Sequence, residues 1–362
     1  MKTHQVQQKT ERRISAALRL VFVAALLLGQ IALAFFLSTE LRQRAAIIYT
    51  VLELAAFGYA VRIYNRTDGA SYKFGWIFLV LTVPVVGLIL YFLWNGDRQQ
   101  KRLDLKKLPM PEEPEAQQAA HRIQMEKLRR KFPQWERLSV YLSRQGYLLY
   151  GDTETTYLPT GEAFLQDMLE KLEQAEHFIF LEFFIIAQGQ IWDRMEEIFR
   201  RKAAEGVEVK IIFDDFGSMM RFPAGQIEAL RESGVEVQVF NPVHHYVNRL
   251  YFNYRDHRKI VCIDGSTAYT GGANVADEYA NLTVRFGYWK DCGIRLDGPG
   301  AWGLTREFLH MWQRNGGQLM QERDYYRPHD HREAAGFCQP FVDGPDNNPI
   351  STAEDVFLHL IN

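Results

Sequence analysis

The sequence predicts an α/β domain, with a mostly parallel sheet flanked by helices, behind a set of N-terminal transmembrane helices. Three observations carry this prediction. Long uncharged apolar stretches crowd the first hundred residues. Strand-like and helix-like patterns then alternate between about Gly151 and Phe240, and such alternation implies strands covered by helices. Beyond them, two short apolar segments flank Asp264-Gly265, a dipeptide that favours a tight hairpin.

Length and charge predict a membrane anchor over residues 1–96. Leu20 to Thr39 and Phe74 to Gly96 contain no charged residue, and roughly 20 apolar residues suffice to cross a bilayer core as helix. The aromatic residues Tyr91, Phe92 and Trp94 suit an interface at the end of the second stretch. Ala45 to Val61, bounded by Arg44 and Arg62, is shorter and encloses Glu53; a third span is expected there, with an interfacial helix as the alternative. Lys2, Lys9, Arg12 and Arg13 precede the first stretch as they would in a signal peptide. Its length and the apolar stretches that follow favour an uncleaved anchor instead. With three spans, the basic residues divide almost evenly, with Arg19 at the border of the first stretch. Lys2, Lys9, Arg12, Arg13, Arg62, Arg66 and Lys73 fall on one side; Arg42, Arg44, Arg98, Lys101, Arg102, Lys106 and Lys107 fall on the other. The positive-inside rule then gives no orientation. With two spans both flanks are basic on one side, and the large domain is cytoplasmic.

Residues 97–150 are expected to form a charged linker or a solvated helix, interrupted by Pro109, Pro111, Pro114 and Pro133. The formal net charge of -2 argues against a dedicated nucleic-acid binder. Cys262, Cys292 and Cys338 are widely spaced, with no CxxC pair. They suggest buried thiols in a reducing compartment rather than a zinc site or a disulfide framework.

The first catalytic-type domain is expected over residues 151–335. Ala163 to Ala175 reads as an amphipathic helix leading into His177 to Ile186, a nearly unbroken apolar run that suits a strand buried on both faces. A helix follows over Ile191 to Ala204, then a strand over Val207 to Phe213, a helix near Gln226 to Glu232 and a strand over Val235 to Phe240. Two acidic features stand out against this background. Glu182 interrupts the first strand, and Asp214-Asp215 ends the second. Ligands gather at the carboxyl ends of parallel strands, so Glu182 and Asp215 are candidate site residues. A paired core carboxylate and a helix cap are their structural alternatives.

The chemistry concentrates between Tyr254 and Asn274. His257 and Lys259 are two apart, so on a strand both side chains share a face. The expected hairpin brings in Gly271-Gly272, where backbone can approach a ligand closely, and Asn274 adds an amide. A nucleophilic imidazole, a fixed cation and an amide donor suit displacement at phosphorus. The imidazole can hold the group covalently while Lys259 and Asn274 neutralise its oxygens. Such a scheme uses no metal and no cofactor.

The pattern H-x-K-x4-D followed by G-G-x-N is that of the phospholipase D superfamily. Here it reads His257, Lys259, Asp264, Gly271, Gly272 and Asn274. Among its branches the chain most resembles bacterial cardiolipin synthases, through Leu181 to Ile185, Asp215 to Ser218, Asn253 to Lys259, Tyr288 to Ile294 and Leu296 to Gly300. Trp76 to Pro84, Gly87 and Tyr91 match the hydrophobic entry of that branch. The resemblance implies that one phosphatidylglycerol gives its phosphatidyl group to a histidine, which passes it to a second phosphatidylglycerol. Cardiolipin and glycerol result. His257 is then the nucleophile or its acid–base partner, Lys259 and Asn274 hold phosphate, and Asp264 orders the loop. Glu278, with its neighbour Asp277, either orients an imidazole or starts a helix. The implied partners are phosphatidylglycerol and a membrane, with no nucleic acid.

Members of this family carry two such motifs, and this sequence carries one: none of His310, His329, His331 and His359 has a lysine two residues on. Val342 to Asp346 resembles the opening of a second half, so residues 336–362 are expected to be its truncated start. A homodimer or a separate C-terminal half would then complete the site. The competing expectations are an inactive membrane-bound fragment that acts as an interaction partner, or another lipid enzyme such as a phosphatidylserine synthase or phospholipase D.

Overall fold

The computed structural model describes residues 42–66, 70–94, 115–242, 255–285, 287–318, 321–327, 334, 336–344 and 351–361, with a few positions between 24 and 35. These residues form two units, each considered by itself.

The first unit contains three helices: α1 (Arg42–Tyr64), α2 (Ala70–Thr82) and α3 (Pro84–Trp94). Within α1, Ile47–Tyr64 is long and apolar enough to cross a membrane, the one such stretch among the described residues. Most of Leu20 to Thr39 lies outside the described residues. Phe74 to Gly96, expected to be one spanning helix, is instead broken in two. Proline disfavours helical geometry in the residue before it, so the chain bends at Val83. Pro84 then occupies the first position of α3, where its missing N–H costs nothing. Ala56, Ile63, Val80 and Tyr91 form the buried centre of this unit.

The second unit is mixed α/β. It opens with α4 (Glu115–Lys131) and α5 (Glu136–Arg144), joined by a short 3-10 turn over Pro133–Trp135. Both fall in the segment expected to be a charged linker or a solvated helix, and α4 takes the helical form, anchored at a few points to the rest of this unit. Leu128, Leu142, Tyr147 and Leu149 are buried, and the Trp302 indole donates to Gln117 at 3.2 Å. The Leu149 amide donates to His121 Nδ1 at 2.9 Å. Leu128 is the one buried residue of α4, so no apolar stripe announces the helix; polar contacts anchor it.

Seven strands follow: β1 (Glu154–Leu158), β2 (Phe178–Phe183), β3 (Glu208–Asp214), β4 (Glu236–Phe240), β5 (Lys259–Ile263), β6 (Thr267–Gly271) and β7 (Gly293–Asp297). They form one sheet in the order β1-β7-β6-β5-β2-β3-β4. The expectation of a mostly parallel sheet is also corrected. Only β2 with β3 and β3 with β4 run parallel; the other four pairings are antiparallel. Alternation of strands and helices describes β2 to β4. It then gives way to a meander, and β1 returns to pair with β7.

Helices α6 (Gly161–Leu172), α7 (Gln190–Ala204) and α9 (Ala224–Glu232) cover one face of the sheet. Helix α10 (Ala301–Arg314) covers the other. Between α7 and α9 lies the short α8 (Asp215–Ser218). Central strands feed both cores. In β2, Ile179, Leu181 and Phe183 face the first set of helices, while Phe178 and Phe180 face α10, which accounts for its unbroken apolar run. The chain ends on α11 (Glu322–Tyr325) and α12 (Thr352–Ile361). Val356 of α12 joins the buried cluster that holds Leu142 and Tyr147, and Gln339 is clamped to Ser139, Ser143 and Tyr147.

Candidate active site

Strand register alone gathers one set of residues at a single edge of the sheet. Phe183 at the end of β2 lies opposite Lys259 at the start of β5. Ile260 lies opposite Thr270, and Gly271 opposite Gly293. His257 precedes β5 by two residues and is exposed. Its ring packs on Phe184, with centroids 4.9 Å apart and planes tilted by 54°. The Lys259 ammonium lies 5.6 Å from the centre of the same ring and donates to the His257 carbonyl at 2.6 Å. Phe184 therefore positions both groups, a role that its place in an apolar run does not reveal.

Glycine is required at this edge by close approach. A Cβ on Gly271 would lie 2.6 Å from the Cys292 carbonyl oxygen, and one on Gly272 would lie 2.3 Å from the Asp291 carboxylate. Asp291 is a site residue that the sequence reading missed; a lone acid in Tyr288 to Ile294 gives no periodic or spacing signal. Its charge, after that of Asp256, favours the protonated Lys259. Burial outweighs both and pushes Lys259 down to about 8. Burial, and then the neighbouring Lys259 charge, also holds His257 below its ordinary value of 6.5. At neutral pH the pair is a neutral imidazole beside a charged ammonium. Together with Gly271 and Gly272 they line a cleft of about 580 Å³, whose far wall is formed by residues 337–343.

The remaining candidates separate into supports. Asn274 is buried; its Oδ1 accepts from the Ile185 amide at 3.0 Å and its Nδ2 donates to the Tyr279 hydroxyl at 2.8 Å. It ties the end of β2 to the loop after β6. Asp264, grouped with the catalytic residues on the strength of the motif, sits at the opposite end of β5. Its carboxylate accepts from the amides of Glu176, His177 and Phe178, each at 2.8 Å. Asp264 and Gly265, with φ of 53° and 66°, supply the left-handed conformation of the tight turn between β5 and β6, which the Ser266 amide closes by donating to the Ile263 carbonyl at 3.1 Å.

Glu182 is fully buried, 3.5 Å from the Arg258 guanidinium, and Arg258 itself lines the cleft. By strand alternation Glu182 points to the α10 side of the sheet, away from Lys259. Asp215 is buried as the first residue of α8. Its neighbour Asp214 caps that helix through the Phe216 and Gly217 amides and also accepts from the Asp256 amide at 3.0 Å. Burial raises Asp214 to about 6, although Arg255 and these amides oppose the shift. Glu278 is held by Arg221 at 2.6 Å and Arg285 at 3.2 Å; burial raises it, but the two guanidinium groups win and its carboxyl titrates below the usual range. Asp277 caps α7, accepting from the Gln190 and Ile191 amides at 3.0 Å. Of the three cysteines, Cys262 is buried, whereas Cys292 is exposed, contrary to the expectation of three buried thiols.

Against this geometry, similarity to known proteins is informative. Residues 168–284 match the family described as cardiolipin synthase, PLD-like domain, and residues 54–95 match that described as phospholipase D-nuclease N-terminal. Over residues 168–284 the chain is thus similar to the phospholipase D-like domain of cardiolipin synthases. Cardiolipin synthase 2 of Bacillus anthracis is 31% identical over 81% of the chain and 57% of the relative. The major cardiolipin synthase ClsA of Bacillus subtilis is 30% identical over 69% of the chain and 53% of the relative. An uncharacterized protein of Streptococcus mutans is 35% identical over 79% of the chain and 62% of the relative. The chain thus spans between about half and three fifths of these curated relatives.

Proposed function

We propose that this chain is a membrane-bound phosphatidyltransferase of the cardiolipin synthase type, and that His257 carries the phosphatidyl group. One observation supports the reading above all: an exposed imidazole, shifted toward its neutral form, and a buried lysine line one cleft together with Gly271 and Gly272.

An imidazole nitrogen attacks the phosphorus of a first phosphatidylglycerol, and the bond from phosphorus to the head-group glycerol oxygen breaks. The leaving oxygen takes a proton from a second acid–base group. The hydroxyl of a second phosphatidylglycerol then returns a proton to that group as its oxygen displaces the imidazole. Cardiolipin and glycerol are the products. Lys259 meets the negative charge that builds on the non-bridging oxygens, and splitting the displacement in two lowers each barrier. Gly271 and Gly272 let the phosphate approach the backbone, and Asn274 holds the loop that brings them there. The sequence contains one H-x-K pair, and the reading takes the second acid–base group from outside these residues: a second copy of this chain or a C-terminal half that bears another such pair.

The test is cardiolipin and glycerol formation by the purified chain in phosphatidylglycerol vesicles, with His257→Ala alongside. The reading expects product from the first and none from the second, with specific activity rising as the surface density of protein rises. Equal product from both would remove His257 from the mechanism.

A further inference from the structure

The first unit carries a second inference, which rests on its insertion in a bilayer and not on the chemistry of the cleft. Helices α2 and α3 contain 13 and 11 residues, so they rise about 20 Å and about 17 Å at 1.5 Å per residue. Each is too short for a hydrocarbon core of about 30 Å. They run back along each other. Trp76 and Tyr91, placed almost symmetrically about the break, meet edge to face at 5.5 Å. Gly87 lies so close to the preceding helix that a Cβ would be 2.5 Å from the Leu79 carbonyl oxygen and 2.8 Å from the Val80 Cα.

The two ends of this hairpin differ in chemistry. At the open end, Arg66 donates to the Tyr91 hydroxyl at 3.2 Å and Lys73 donates to the Arg66 carbonyl at 3.0 Å. At the closed end, Leu81 is exposed, and so is Phe78 one turn earlier. The polar groups left there are satisfied internally, as a hydrocarbon environment demands. The Thr82 hydroxyl donates to the Phe78 carbonyl at 2.7 Å. The Val86 amide, one of the unpaired donors of the first turn of α3, donates to the Gln30 side chain at 3.0 Å. Gln30 is itself midway along the uncharged stretch Leu20 to Thr39, so the tip lies level with the middle of that stretch.

We propose that Phe74 to Trp94 is a re-entrant hairpin that dips into one leaflet and returns, with its tip near the bilayer midplane. Its hydrocarbon-facing side chains include Phe74, Phe78, Leu81 and Leu93, all exposed. Residues 95–114 hold no apolar run able to cross, so the α/β unit lies on the same face as the Arg62 to Lys73 loop. This tips the near-even division of basic residues. Arg62, Arg66, Lys73, Arg98, Lys101, Arg102, Lys106 and Lys107 now share one face, joined by the five basic residues of the N-terminus if Leu20 to Thr39 crosses. Arg42 and Arg44 face them from the other side. Even if Leu20 to Thr39 does not cross, eight stand against seven. Both counts place the α/β unit in the cytoplasm.

The experiment labels the full-length chain with a membrane-impermeant maleimide in inverted and in right-side-out vesicles. Modified peptides are identified by mass spectrometry, so the native cysteines stay in place and exposed Cys292 reports the α/β unit. The hairpin expects Ser71→Cys, Gln99→Cys and Cys292 to label in inverted vesicles only. Gln43→Cys should label in right-side-out vesicles only, and Thr82→Cys only after detergent. Labelling of Ser71→Cys and Gln99→Cys from opposite faces would overturn the hairpin. Release of the chain by alkaline carbonate would overturn insertion itself, while leaving His257 chemistry untouched.

Discussion

The two ends of β5 carry the same sequence motif and do opposite work. At its start, His257 is exposed and Lys259 is a buried cation beside a cleft. Both groups are tuned away from their ordinary titration, and neither is locked by a second charged side chain at hydrogen-bond distance among the described residues. Just past its end, five residues beyond the strand's first, the Asp264 carboxylate is saturated by three backbone amides. A strand rises about 3.3 Å per residue, so the carboxylate is on the order of 16 Å from the reacting edge. The difference teaches that a contiguous motif need not be one site. Its first two residues hold the chemistry, and its third fixes the strand that presents them.

Substitutions should separate these ends. His257→Ala is expected to lower turnover by at least about a thousandfold, since no nearby group replaces the nucleophile, with thermal unfolding unchanged. Lys259→Ala should follow at about 100- to 1000-fold, falling mainly on kcat, and Lys259→Arg should restore part of it. Either variant losing stability instead of activity would blur the contrast. Asp264→Ala should do the reverse. Losing an acceptor shared by three amides is expected to cost about 3 kcal/mol, read as a Tm lower by about 6–12 °C, while activity per folded molecule stays near that of the parent chain. A large loss of kcat without a fall in Tm would move Asp264 into the site.

Gly272→Ala should disturb the reacting end alone. Its new methyl meets the Asp291 carboxylate, and the expected result is a severalfold loss of kcat, in line with displacing a group that faces Lys259. The mildest perturbation is pH. A nucleophilic imidazole must be neutral, so the rate rises as pH climbs through the His257 pKa, which lies below 6.5. Lys259 must be charged, so the rate falls as pH passes about 8. In Lys259→Arg the alkaline fall should disappear; an unchanged fall would assign it to another group.

Much of this division was legible in the sequence, and the failures have physical causes. The H-x-K spacing, the Asp264-Gly265 turn and the paired glycines are local features, and local geometry fixes them. The direction of strand pairing is not local. Alternating strands and helices over β2 to β4 suggested a parallel sheet, but β5 to β7 form a meander that reverses the majority. Residues 115–150 read as a linker or a solvated helix because α4 buries a single leucine and relies on polar anchors such as His121 and Gln117. Glu182 stands out in the sequence because it interrupts an apolar run, and Asp215 because it sits where a strand ends. One lies against Arg258, and the other opens a helix whose cap is the neighbouring Asp214. The contributions of Phe184 and Asp291 appear only when the strands are registered, since both sit far from the motif in sequence.

The central claim is that His257 becomes covalently attached to phosphatidyl. The direct measurement mixes the purified chain with phosphatidylglycerol labelled at phosphorus, quenches under denaturing alkaline conditions that preserve phosphohistidine, and maps the label to a peptide. The account predicts label on the peptide containing His257 and none in His257→Ala. Label retained in that variant, or cardiolipin formed by the parent chain with no labelled protein at any time, would contradict it.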